Sequence, residues 1–393
     1  MIQFRKNSYA VRLLYYLSLC GEFPYHSISL LGEHPRCLVR VIRKMKDESY
    51  ISLIGKGKYK TIRLMSSGIK TIKNVLGKNY YEHYMQITNN NHFVGCGFSK
   101  KHISQGEKIT LRNHRVAEIL CMADCIGCSV FPFQKPKLSP YLNPQLTNRN
   151  LYFYTSKELK NVDPNQKKKV SFTRLVGTFF LPGGAFNCYN INDKTIKWQN
   201  YGENKMQYLI KEIAKNNVVH YERKWKIMDM ESAFIFGKND KAILKILNEK
   251  QKKQHRTEDF EYLCLDGVYK NLYYIPLNSH GKNMLKLFSK IDWYPKMIKI
   301  LFGDNIDWKK HLNDYYDIET SKYKIVVFLS GNLKNIKYTK NIIPFENKLH
   351  FIVCFAYQQE FLQTYFEDTN VKIKVVNEIN FYKSFLKEDS YKC

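Results

Sequence analysis

The sequence predicts a mixed α+β and α/β protein: an N-terminal winged helix-turn-helix followed by a mixed α/β domain with a partly parallel sheet. Three observations predict it. Residues 1–80 alternate helical and strand periodicity in the order helix, helix, helix, strand, turn, strand, helix. The same residues hold 15 Lys and Arg against 4 Asp and Glu. Near the C-terminus, YKIVVFL (323–329) and LHFIVCF (349–355) are continuous apolar runs, as strands buried on both faces require.

The first helix is expected over 8–20, where Val11, Leu14, Tyr15 and Leu17 share a face, with Ser8 as N-cap and Gly21 as stop. A short second helix follows at 25–31, ended by Gly32. The third starts at Pro35, a residue suited to a first helical turn, and runs to about Glu48. SYISLIGKGKYKTIRLM then reads as two strands joined at Gly55-Lys56-Gly57, and Ser66-Ser67-Gly68 opens a helix to about Leu76.

Helix 35–48 has two faces. Leu38, Val41, Ile42 and Met45 form an apolar stripe, while Arg36, Arg40 and Arg43 share the opposite side, with Lys44 beside them. The wing carries Lys56, Lys58, Lys60 and Arg63. These eight residues are the candidate DNA contacts: the helix for the major groove, the wing for the backbone or minor groove. A basic helix face alone is most often a solvated surface. Here it coincides with the helix and hairpin that a winged helix presents to a duplex.

Residues 81–150 are expected to be a linker and a helical segment, with a helix in LRNHRVAEILCMADCIGCSVF (111–131) ending near Gly127 and a proline-rich connection after it. Residues 151–393 read as the α/β domain. Strands are expected at the start of LYFYTSKELK, at 170–181, 185–191, 194–198, 218–225, 232–237 and 269–277, with a hairpin turn at Pro182-Gly183-Gly184. Helices are expected at 203–216, 240–253 and within 281–301. Strand 349–355, helix 356–366 and strand 371–376 suggest parallel β-α-β packing, with a helical tail at 377–388.

Composition bounds the function. The 393 residues are 44% hydrophobic and 15% aromatic, enough for packed cores, which excludes overall disorder. A formal charge of +28 points to a polyanionic partner, and double-stranded DNA is the expected one. An AT-rich genome would also raise Lys, Asn, Ile and Tyr, so the clustering of charge in residues 1–80 decides. Arg5, Lys6 and Arg12 break any secretory leader, and no long apolar run suggests a membrane span; a cytoplasmic protein with reduced thiols is expected.

Catalytic constellations are thin. Cys121-x3-Cys125-x2-Cys128 has a metal-like spacing, but it lies in a helical run, and a zinc site would need a fourth ligand that His114 could supply only by folding back. Ordinary thiols are the expectation, with no metal and no cofactor. No two of the eleven histidines stand two residues apart, as a nicking enzyme's metal cradle would require. Acid-x-Lys triplets, which can hold Mg²⁺ in nucleases, begin at Glu158, Glu203, Glu222, Asp307 and Glu346, no more than the four or five that chance gives. Only Glu222 and Lys224 fall in a strand-like run. Neither a dinucleotide fingerprint nor a Walker loop is present.

The order of HRVAEIL (114–120), FYTSKELK (153–160), RLVGTFF (174–180) and CYNI to TIKW (188–198) behind a basic winged helix resembles the replication-relaxation family of plasmids and integrative elements in low-GC Gram-positive bacteria. The resemblance covers about residues 5–220. It implies sequence-specific DNA binding in replication or conjugative-transfer initiation, partner proteins of a replication or transfer complex, and a degenerate nuclease-like α/β part. It supplies no catalytic residues. A homodimer on a palindromic site fits this plan. Two alternatives stand beside it: a Mg²⁺-dependent nuclease or relaxase using Glu222 and Lys224, and a transcriptional regulator whose α/β part senses a ligand.

Overall fold

The computed structural model describes residues 2–32, 34–89, 106–147, 149–163, 170, 173–192, 197–198, 200–218, 231–248, 261–262, 268–304 and 315–387. It is a mixed α+β structure whose sheets contain both parallel and antiparallel strands. The chain divides into two compact units, the first formed by Met1–Leu138, Asn150–Thr155 and Leu277–Ser279, the second by the remainder.

The first unit opens with α1, Tyr9–Cys20. Its ends are as the sequence requires: Ser8 Oγ accepts the Val11 amide at 3.3 Å, and Gly21 leaves the helix at φ +77°. β1, Glu22–Pro24, follows, then a 3-10 turn over Tyr25–Leu31. Arg12 pins that turn by donating to the Leu31 carbonyl at 2.7 Å. Next come α2 (Pro35–Asp47), β2 (Ile51–Ile54), β3 (Thr61–Leu64) and α3 (Ser66–Val75). The three strands form an antiparallel sheet in the order β1-β3-β2. Leu38, Ile42 and Met45 of α2 are buried with Leu13, Leu14 and Leu17 of α1 and with Ile51, Ile62 and Leu64 of the sheet. Each such side chain contributes about 1.5–3 kcal/mol by leaving water. Val41, expected in that stripe, is only half-buried.

The expected linker is more ordered than its polar sequence suggested. α4, Lys78–Asn89, and α5, Glu107–Cys125, both belong to the first unit. Four hydrogen bonds tie α5 to the N-terminal segments. Asp124 accepts the Tyr15 hydroxyl at 2.7 Å and the Tyr16 hydroxyl at 2.6 Å, Glu118 accepts the Ser27 hydroxyl, and Asn113 donates to Glu22 at 2.8 Å. Gly127, at φ +86°, ends this segment as expected. β4, Tyr152–Thr155, follows. The expected turn and loop at 90–105 lie outside the described residues.

The second unit begins with α6 (Ser156–Lys160), then β5 (Gly177–Leu181) and β6 (Gly184–Asn192). These two strands form the expected hairpin, with Leu181 paired to Gly184. β7 (Lys197–Trp198), α7 (Asn200–Asn217), β8 (Ser232–Gly237), α8 (Asp240–Asn248), β9 (Glu261–Tyr262) and β10 (Asn271–Pro276) continue the chain. β6, β8 and β10 are parallel neighbours joined by helical crossovers, and Phe186 stacks on Phe234 at 4.5 Å in their core. The strand expected at 170–181 starts only at Gly177, and most of the one expected at 218–225 lies outside the described residues.

After α9 (Ser279–Phe288) and α10 (Trp293–Phe302) comes a second sheet. β11 (Ile318–Glu319), β12 (Tyr323–Val327), α11 (Leu333–Ile342), β13 (Leu349–Phe355), α12 (Ala356–Tyr365), β14 (Val371–Val376) and α13 (Glu378–Lys387) complete it. The order is β11-β12-β13-β14, parallel apart from β11, as the apolar runs predicted. Among the described residues β14 is the outer strand, and Lys372 and Lys374 on it are exposed.

Candidate nucleic-acid interface

The basic helix face exists as spacing predicted. Arg36, Arg40, Arg43 and Lys44 are all exposed, while the opposite side of α2 is sealed by Leu38, Ile42 and Met45. The buried stripe fixes the rotation of the helix, so the guanidinium groups have one direction to face. None of the three arginines forms an ion pair among the described residues. Lys46, which sequence reasoning passed over, is also exposed. Asp47 is exposed too, in line with Arg36, Arg40 and Arg43 at the C-terminal end of the helix, so the basic surface belongs to its first three turns.

The β2–β3 connection supplies a second basic element. Gly55 (φ +78°) and Gly57 (φ +54°) occupy backbone regions that favour glycine, and a Cβ at Gly55 would stand 2.6 Å from the Tyr59 carbonyl. The tip therefore keeps a tight shape, with Lys56 and Lys58 exposed. Lys60 is held differently: half-buried, its Nζ lies 3.9 Å over the Tyr25 ring, and its carbonyl accepts the Tyr25 amide at 2.9 Å.

Arg63 is not part of this surface. It lies buried on β3, opposite Glu22 of β1 in the strand register, and its Nε donates to Glu22 at 2.7 Å. Burying a guanidinium requires a carboxylate partner, and that pairing removes Arg63 from any duplex contact.

Among the described residues, the other sequence candidates are not brought together as a metal site. Cys121 is buried in α5 with its thiol 3.5 Å from the Leu30 carbonyl; Cys125 is half-buried, 3.9 Å from the Tyr16 hydroxyl; Cys128 is buried, and burial pushes its thiol pKa well up. Among the described residues, no three His, Cys, Asp or Glu side chains are placed to hold a metal ion. Glu203 is buried in α7, where it accepts the Thr173 hydroxyl (2.6 Å), the Arg174 amide (2.6 Å) and the Tyr189 hydroxyl (2.7 Å). Burial raises its pKa against these three donors, which lower it. Lys205, its triplet partner, lies instead over the Tyr201 ring. Glu346 binds Lys324 at 2.6 Å, and Lys348 binds Glu319 at 2.7 Å. Glu222, Lys224 and Asp307 lie outside the described residues.

The chain matches no family model, no curated protein and no solved structure. Among the described residues, no helix is long and apolar enough to cross a membrane.

Proposed function

We propose that the first unit is a winged helix-turn-helix that reads double-stranded DNA. α2 would enter the major groove, Arg36, Arg40 and Arg43 would meet base edges and phosphates, and Lys56 and Lys58 would hold the backbone beside it. One observation carries this reading: three arginines stand in a row on the solvent face of a helix whose other face is locked into the core. The lysine-tipped β2–β3 hairpin supports it.

The setting we propose is replication or conjugative-transfer initiation on a plasmid or integrative element. It rests on the segments between 114 and 198 that resemble the replication-relaxation family. Binding is favoured over cleavage because Glu346 and Lys348 are engaged in separate ion pairs and Lys205 lies over the Tyr201 ring.

The test is selection of bound fragments from the host element with the full-length protein, followed by salt titration on the recovered site. Recovery of an origin sequence, with affinity falling steeply as salt rises, is the expected result. Recovery of the protein's own promoter would point to a regulator instead. Equal recovery of all fragments would remove sequence reading.

A further inference from the structure

We infer that α7 and the segment 139–146 form a second nucleic-acid site, one that takes the bases of a single strand. A groove of about 600 Å³ runs along α7, lined by Pro140, Asp163, Tyr201, Lys205, Tyr208 and Glu212 among others. Tyr201 and Tyr208 are 65% and 66% exposed, although each is a large ring on a helix whose inner face is fully packed. Tyr141, beside the lining Pro140, is 78% exposed. Tyrosines so bare, grouped around one groove, are surface the fold itself does not use.

The wall is held in place. Asn216 donates to the Pro140 carbonyl at 2.8 Å and Asn217 to the Ser139 carbonyl at 2.8 Å, while the Asn143 amide donates to the Asn216 carbonyl at 2.7 Å. The backbone of 139–146 is thus fastened to the end of α7 before any ligand arrives. Tyr201 and Tyr208 are seven residues apart, about two helical turns or ~10.5 Å, so each serves a different base.

The chemistry between the rings fits nucleobases better than an apolar partner. Asn204 and Glu212 offer an amide and a carboxylate to base edges. Lys205 Nζ lies 4.0 Å over the Tyr201 ring, where an ammonium can reach a phosphate of a base stacked there. Of the other lysines on α7, Lys211 is held by Glu231 at 2.9 Å, so Lys205 is the cation that lines the groove itself. A duplex keeps its base faces covered by stacking; an opened strand exposes them to aromatic side chains.

This inference does not depend on α2, and its test separates the two. The full-length protein is titrated with a labelled oligo(dT) of about 20 nucleotides, a length that spans a typical single-strand site. Tyr201→Ala/Tyr208→Ala is expected to weaken that binding by about tenfold or more, with duplex affinity and thermal midpoint unchanged. Tyr201→Phe/Tyr208→Phe, which keeps the rings, is expected to bind as the parent does. Arg36→Ala/Arg40→Ala/Arg43→Ala is expected to lose the duplex and keep the oligonucleotide. Undiminished oligonucleotide binding by Tyr201→Ala/Tyr208→Ala would overturn the site, as would no binding by the parent at low salt.

Discussion

α2 and the β11–β12–β13 face use the same kinds of side chain to opposite ends. On α2, Arg36, Arg40 and Arg43 point into solvent with no acid pairing them among the described residues. In the second sheet, Lys324 lies in register between Glu319 and His350, buried, with Nζ 2.6 Å from Glu346 and 3.4 Å from Glu319. Burial holds the His350 pKa below its ordinary value, and the hydrogen bond from Lys348, with its neighbouring ammonium charges, holds the Glu319 pKa down. Charge that has met its partner inside the fold serves stability; charge left facing water is available to a ligand. Arg63 shows that the division runs through the first unit as well, since this β3 arginine is paired inside the fold with Glu22.

That contrast can be broken most sharply at Arg63. Arg63→Ala leaves Glu22 buried without its cation and is expected to cost about 3–5 kcal/mol of stability, read by chemical denaturation. An unchanged midpoint would return Arg63 to the surface set. Next in size, Arg36→Ala/Arg40→Ala/Arg43→Ala is expected to lower duplex affinity about 100- to 1,000-fold in moderate salt with the thermal midpoint unchanged, measured by fluorescence anisotropy. Retained affinity would end the DNA-reading proposal.

Asp317 sharpens the buried side of the comparison. It accepts the Tyr294 hydroxyl and, at 2.6 Å, the Val327 amide, and burial pushes its pKa from 3.8 up to about 6. A carboxyl raised in the folded state favours folding while protonated. Stability is therefore expected to fall as pH rises from about 4 to about 6, by at most about 3 kcal/mol, and then to level off. Asp317→Asn should flatten that slope; an identical pH profile in denaturant titrations would show another group to be responsible. The smallest effect is expected at the hairpin tip. Lys56→Ala/Lys58→Ala should weaken duplex binding about tenfold and reduce the slope of log affinity against log salt by about 2.

What was legible in the sequence follows from how local the signal is. Ser8, Gly21 and Pro35 act on their own helix ends, so α1 and α2 were found nearly to the residue. The arginine row needed only helical spacing. β12 and β13 announced themselves through continuous apolar composition. β1 did not, because three residues, Glu22-Phe23-Pro24, become a strand only by pairing with β3 about forty residues later. The same distance hid the fate of Arg63: the alternation of a two-stranded wing puts it outward, and only the third strand with Glu22 turns that position inward. α4 escaped for another reason. Its sequence, KNYYEHYMQITN, is polar and tyrosine-rich, and its helical state rests on packing against α1 and α3. The groove along α7 was invisible because its second wall, 139–146, reads as a proline-punctuated connection until Asn216 and Asn217 fasten it.

The outer strand β14 bears on how this protein behaves at high concentration. An open sheet margin is where chains zip together into aggregates. Lys372 and Lys374 stand along that margin, so an approaching copy would meet like charge before its backbone could bond. Neutralising the two lysines should therefore shorten the shelf life of concentrated stocks while leaving the fold intact.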